Sequence, residues 1–194
     1  MAAAAALIIG IGWWVVTLLH PSLEVGAAFG ATGAEEVADP SAGPGEDRTM
    51  FLFPYRDGQT AEYLFSLRNP GPLPVTVTDV VLRRTEPGDV FLLQQVEARI
   101  GGPGDVFPEV TTPFRPFRLG AEEERTIVIT LRFDHCEEHG TLPTAEEADT
   151  AAVQFIENET IRYRILGVPR SEKLRLPSNV GVRFPTPEGC PGAS

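Results

Sequence analysis

Residues 61–83, AEYLFSLRNPGPLPVTVTDVVLR, carry the clearest alternation in the chain. Ala61, Tyr63, Phe65 and Leu67 alternate with Glu62, Ser66 and Arg68. After the breaker Asn69–Pro74, Val75, Val77 and Val81 alternate with Thr76 and Thr78. A period of two, rich in β-branched residues and bounded by turn residues, predicts two strands joined by a proline/glycine loop. Arg125–Phe133 repeats the pattern, with Ile127, Ile129, Leu131 and Phe133 facing one way and Thr126, Thr130 and Arg132 the other. Further strands are expected at Thr49–Tyr55, Val90–Ile100 and Phe114–Leu119. Ala151–Ile156 and Thr160–Leu166 read as one strand with a bulge at Glu157–Glu159. Glu172–Leu176 and Val180–Phe184 form the last strand or strand pair. Turn signals at Arg56–Gln59, Thr85–Asp89, Gly101–Asp105 and Gly167–Arg170 separate these runs. The expectation is an all-β antiparallel sandwich of about seven to nine strands over residues 49–194.

The first residues follow a different pattern. Ala2–Leu19 is uncharged, with Thr17 its one polar side chain, and His20-Pro21 ends the run. As a helix it would cover about 27 Å, close to the ~30 Å hydrocarbon core of a bilayer. Residues 1–21 therefore read as one hydrophobic helix and a single-pass signal anchor. A cleaved signal peptide, cut near Val25-Gly26-Ala27, is the competing reading. No basic residue flanks the run. The expected topology places the C-terminal domain outside the cytoplasm. Residues 22–48, rich in Ala, Gly, Pro and acids with no periodic apolar face, read as a linker.

Charge and cysteine usage narrow the setting. The chain has a net charge of −11, and no Lys or Arg precedes Arg48. That balance argues against a nucleic-acid partner. Cys136 and Cys190 are the only cysteines. Beyond an export signal such a pair is expected as a disulfide, provided the strands before them end on the same side of the sandwich.

Leu67-Arg68-Asn69-Pro70-Gly71-Pro72-Leu73-Pro74-Val75-Thr76-Val77 resembles the strand, N-x-G, P-V-x-V signature of immunoglobulin-like sandwiches of the major-sperm-protein, hydin and pilus-chaperone kind. Residues 117–129, FRLGAEEERTIVI, are similar to a later stretch of those domains, so the resemblance covers about residues 49–133. The anchor, acidic linker, sandwich and terminal cysteine together resemble exported proteins of high-GC bacteria. The resemblance implies an immunoglobulin-like fold and leaves the activity open.

The chemistry-bearing candidates are few. His135-Cys136-Glu137-Glu138-His139 matches the inverted zinc-protease pattern H-x-x-E-H, which makes His135, Glu138 and His139 candidate metal ligands. That chemistry needs a helix and a third ligand. Here the motif leaves a strand and contains the expected disulfide cysteine, so its context favours a solvated acidic loop. Phe114, Arg115 and Phe117 are candidate binding residues, set against an edge strand whose phenylalanines enter the core. The chain lacks both a phosphate-binding glycine loop and a nucleophile elbow. No cofactor is expected. The sequence leads to a non-enzymatic, membrane-tethered domain held by the bilayer through Ala2–Leu19, contacting another envelope protein or serving a structural role. The alternatives are an assembly chaperone that donates an edge strand, and a small-ligand or metal module using Asp134–His139.

Overall fold

The computed structural model describes Val15 and residues 22–39, 42, 43, 45, 47–56, 58–82, 93–133 and 153–183, with the backbone alone at 153 and 154. Apart from Val15, Ala2–Leu19 falls outside the described residues, as do Asp134–His139, Cys136 and Cys190. Among the described residues, no helix is long and apolar enough to cross a membrane.

The described residues form two packed sheets of β-strand. The strands are β1 Glu24–Thr32, β2 Glu35–Ala38, β3 Thr49–Pro54, β4 Thr60–Arg68, β5 Val75–Val81, β6 Leu93–Ile100, β7 Thr112–Pro113, β8 Phe117–Leu119, β9 Glu124–Phe133, β10 Val153–Ile165 and β11 Val168–Arg183. The first sheet has the order β1-β4-β9-β6-β7, the second β2-β3-β11-β10-β5-β8. The alternating residues of β4 and β9 meet those of β5, β10 and β11 in one core. Phe65, Leu67, Ile127, Ile129, Leu131, Ile161 and Val180 are all fully buried there.

The all-β sandwich stands, with four differences from the sequence reading. First, there are eleven described strands, because β1 and β2 form within the expected linker. Second, Asn69–Pro74 does not close a hairpin: β4 lies in the first sheet and β5 in the second. Pro70, Pro72 and Pro74 lack the amides a ladder would need, so the loop crosses between layers. Third, the second sheet is mixed. β3 runs parallel to Asn179–Arg183 of β11, a pairing open to strands this far apart in sequence. Fourth, the last turn is the two-residue Leu166-Gly167, with φ of 50° and 87°, as a tight primed hairpin requires. Pro169 then pairs with Arg164 inside β11.

Side chains elsewhere explain why a segment of linker composition forms strands. β1 carries a register shift between Val25 and Phe29, which frees the amides of residues 27 and 28. The Glu124 carboxylate accepts from the Ala27 amide at 2.8 Å, and the Ser66 hydroxyl from the Ala28 amide at 2.9 Å. Glycine at 26 leaves room for these bonds, since a Cβ there would lie 2.4 Å from the Glu124 carboxyl and 2.6 Å from the Ser66 hydroxyl. Leu23 is buried, and its amide donates to Glu172 at 3.0 Å. Tyr163 donates to the same carboxylate oxygen at 3.0 Å. Burial first, and Glu172 second, push the Tyr163 phenol up to about 12. Asp39, also in the expected linker, is buried between Asn179 Nδ2 at 2.8 Å and Arg48 Nε at 3.7 Å. The possible cleavage site Val25-Gly26-Ala27 therefore lies within a paired strand.

The Ser66 hydroxyl first, then the Ala27 and Ala28 amides and Arg68, hold the Glu124 carboxyl below its ordinary value of 4.5 against the cost of desolvation. A depressed carboxyl pKa contributes stability above the unfolded value and loses it as pH falls through the folded one. β1 is therefore expected to loosen as pH falls below about 4.5, and Glu124→Gln to remove that acid dependence. Amide exchange at Ala27 and Ala28, followed against pH, reads the effect; an unchanged acid dependence in Glu124→Gln would refute it.

The strand ends also bear on the cysteines. Phe53 pairs with Val182, and its ring centroid lies 5.9 Å from that of Phe133. β9 and β11 thus end on the same side of the sandwich, the arrangement the expected disulfide requires.

Candidate functional site

The outer face of the second sheet is basic, on a chain of net charge −11. Alternation places it there. In β10, Ile161, Tyr163 and Ile165 turn inward, which sends Arg162 and Arg164 outward. In β11, Leu174 and Leu176 turn inward and Lys173 and Arg175 outward. In β8, Phe117 and Leu119 are buried and Arg118 is exposed.

Register then assembles one surface from four strands, β8, β5, β10 and β11. Arg118 pairs with Thr76, Thr76 with Arg164, and Arg164 with Pro169. One row further along β10, Asp79, Arg162 and Ser171 line up; Lys173 and Arg175 continue the face opposite Thr160 and Asn158. Neighbouring strands lie ~4.8 Å apart and alternate residues ~6.6 Å apart. Successive cations of β10 and β11 therefore sit within about one Debye length, ~8 Å at physiological salt, with Arg118 about 10 Å from Arg164 across β5. Beside these cations lies Asp79, 3.2 Å from Arg162, and elsewhere in the sheet Glu35 lies 3.8 Å from Arg183. Asp79 and Arg162 are both about half exposed, so their pair contributes little stability. Thr78 at the register shift donates to the Arg162 carbonyl at 3.1 Å and fixes the backbone beneath the guanidinium.

What this surface can do is bind anions by long-range attraction and by hydrogen bonds from forked guanidinium groups. Its residues were not among the sequence candidates. The readable signal was a cation at every second position of a strand, Arg162-x-Arg164 and Lys173-x-Arg175, opposite buried apolar residues. Their union with Arg118 depends on pairing between strands far apart in sequence.

The earlier candidates fare differently. Phe117 is buried, with the Arg125 guanidinium 5.0 Å over its ring, and is not available to a partner. Phe114 is half-buried against the core and makes an edge contact with Phe117, centroids 6.0 Å apart. Arg115 alone of the three is exposed. A strip of aromatic rings is therefore not presented at this edge, because alternation turns Phe117 inward. His135, Glu138 and His139 lie outside the described residues. Among the described residues, no three His, Cys, Asp or Glu side chains gather as metal ligands.

The sheet edges bear on strand donation. β7, β8 and β2 are short, β1 is bulged, and β11 before its pairing with β3 carries Pro169, Lys173, Arg175 and Pro177. Short, bulged, proline-bearing or charged edges resist pairing with another chain. None of the described edges is both long and apolar.

Neither a protein-family profile nor a curated protein sequence matches the chain. Similar solved structures include the ASH/PapD-like domain 7 of human CEP192, at 12% identity and a TM-score of 0.31, covering 80% of this chain and 87% of that one. A family 123 glycoside hydrolase from Clostridium perfringens matches at 10% identity and a TM-score of 0.38, over 85% of this chain and 28% of its own. The alkylpurine DNA glycosylase AlkC of Pseudomonas fluorescens matches at 12% identity and a TM-score of 0.26, over 82% of this chain and 32% of its own.

Proposed function

We propose that this chain is a non-enzymatic interaction domain of the cell envelope, tethered through Ala2–Leu19 and held outside the cytoplasm. It binds an acidic surface of another envelope protein through Arg118, Arg162, Arg164, Lys173 and Arg175. The observation that carries this reading is the concentration of those five exposed cations on one sheet face of an acidic chain. A long polyanion such as nucleic acid would extend beyond this face and meet the negative charge elsewhere. A short acidic patch on a protein meets the basic face alone within one Debye length. The immunoglobulin-like sandwich supports the reading as a rigid frame for a flat contact surface. The sequence resemblance to exported proteins of high-GC bacteria agrees with the envelope setting.

A benzophenone side chain introduced at Ser171, in the middle of the face, tests the reading in cells. It is expected to cross-link one discrete protein. The double charge reversal Arg164→Glu, Lys173→Glu should lower the yield roughly tenfold, as expected for two rim charges worth ~0.5–1 kcal/mol each. Raised salt should lower it too. Cross-linking indifferent to both changes would overturn the basic face as the binding surface.

A further inference from the structure

The sandwich carries an unusual set of exposed side chains. Val106, Phe107 and Val110, in the loop between β6 and β7, are 43%, 63% and 76% exposed. Leu166, at the tip of the β10–β11 hairpin, is 36% exposed. The other exposed large apolar residue among the described part of the sandwich is Val96, within β6.

Pairing brings Val106, Phe107 and Leu166 to the end where β1 begins, whereas Val110 lies between Glu109 and Thr111, which line a cleft with Gly30, Glu62, Leu64 and Val128 on the outer face of the first sheet. Glu24 opens β1 opposite Arg68, and Arg68 faces Glu124 at the start of β9. The loop departs beside them, where the Gly101 amide donates to the Thr126 carbonyl at 3.0 Å. Ile165, just before the hairpin tip, pairs with Val75 at the exit of the Asn69–Pro74 crossover.

The loop is pinned along its length. The Thr126 hydroxyl reaches the carbonyls of Asp105 and Val106, each at 2.9 Å, and the Asp105 amide donates to the Gly102 carbonyl at 3.3 Å. Pro108 packs so closely that a Cβ on Gly101 would lie 2.8 Å from it. A fixed loop with Val106 and Phe107 outside the core is arranged for a contact beyond the domain.

The chain itself identifies that contact. His20, Pro21 and Ser22 are all that separate Leu19 from the buried Leu23. Four Cα steps span about 14 Å at most. If Ala2–Leu19 lies in a bilayer, this end of the sandwich is held against the lipid surface. The geometry points to the bilayer as the occupant of the patch formed by Val106 and Phe107, with both side chains entering its interfacial layer. This inference rests on the membrane-tethered reading. Asp105, Glu123 and Glu124 line a recess beside Val106, so the contact is apolar and needs no anionic lipid. In this pose the strands stand away from the membrane, and the basic face of the second sheet looks sideways toward a neighbouring protein.

The test uses the full chain in phosphatidylcholine vesicles carrying a shallow doxyl quencher. In the wild type, Trp13 and Trp14 report the tether. In a Trp13→Phe, Trp14→Phe background, Val106→Trp and separately Phe107→Trp are expected to emit blue-shifted and to lose emission to the quencher. Val96→Trp, about 13 Å from the end of β6, is expected to be unaffected. Quenching at 106 and 107 no greater than at 96, with Trp13 and Trp14 still quenched in the wild type, overturns the loop contact and leaves the tether standing. Unquenched Trp13 and Trp14 overturn the tether, and the loop contact with it.

Discussion

Asn69→Leu is expected to destabilise the sandwich by about 4 kcal/mol, because it strips a fully buried node of its hydrogen bonds. The Asn69 side chain lies at 0% exposure. Its amide donates to the carbonyls of Leu73 and Gly120, each at 2.8 Å, with Leu119 at 3.4 Å, and its oxygen accepts from the Gly71 amide at 3.1 Å. One side chain thus shapes the crossover between the sheets and ties it to the turn before β9. Leucine keeps the volume but leaves two carbonyls and an amide without these partners, each at a cost of ~1–3 kcal/mol before relaxation. For a domain of this size the melting temperature should fall by roughly 8–16 °C. Asn69→Asp separates the contributions. It still accepts from Gly71, but at neutral pH it sets a carboxylate against two carbonyls, which raises its folded pKa. A raised carboxyl pKa withdraws stability as pH rises above the unfolded value, ~3.9, toward the folded one. Asn69→Asp should therefore resemble Asn69→Leu at pH 7 and approach the wild type near pH 4. Urea denaturation at both pH values checks this; a loss under about 1 kcal/mol for Asn69→Leu would show that the node does not hold the crossover.

The importance of Asn69–Pro74 was visible in the sequence, but its geometry was not. Alternation identified the strands and the inward faces of β4 and β9, since a period of two is set by the chain itself. It did not reveal that the loop changes sheets, because that depends on Asn69 reaching Gly120, fifty-one residues away. β1 and β2 were hidden for a similar reason. EVGAAFGAT has no strong strand pattern, and the groups that hold it, Ser66, Glu124 and Glu172, lie elsewhere in the chain. The basic face was half legible. Each strand announced which residues turn outward, yet only pairing between strands set Arg118 beside Arg164 through Thr76. The apolar loop read simply as irregular chain, since its exposure follows from the pinning by Thr126.

Glu159→Ala should cost about 3–5 kcal/mol, against about 1 kcal/mol for Glu159→Gln. Glu159 reaches the core through a register shift between Ile156 and Asn158, which turns the odd-numbered residues of β10 inward from there on. In the core it accepts from the Tyr63 hydroxyl and from Gln95 Nε2 at 2.6 Å, and Gln95 also donates to the Tyr63 oxygen at 2.6 Å. Tyr63 and Gln95 belong to the first sheet and Glu159 to the second, so this triad is a polar bolt between layers. Alanine removes the acceptor that the other two share and leaves a cavity. Glutamine keeps a carbonyl in place. The triple change Tyr63→Phe, Gln95→Leu, Glu159→Leu removes these three polar groups together and should recover part of the loss, since none of the three is then left buried without the others. A triple variant as unstable as Glu159→Ala would assign the cost to lost packing. The same bolt bears on the binding face. A slip of β10 by one residue would send Arg162 and Arg164 inward and Ile161 and Tyr163 outward. Glu159 opposes that slip, because no other register offers its carboxylate Tyr63 and Gln95. Glu159→Ala is therefore expected to raise amide exchange along β10 and to weaken cross-linking from Ser171, although Glu159 lies on the opposite face of the sheet from every residue proposed to touch the partner.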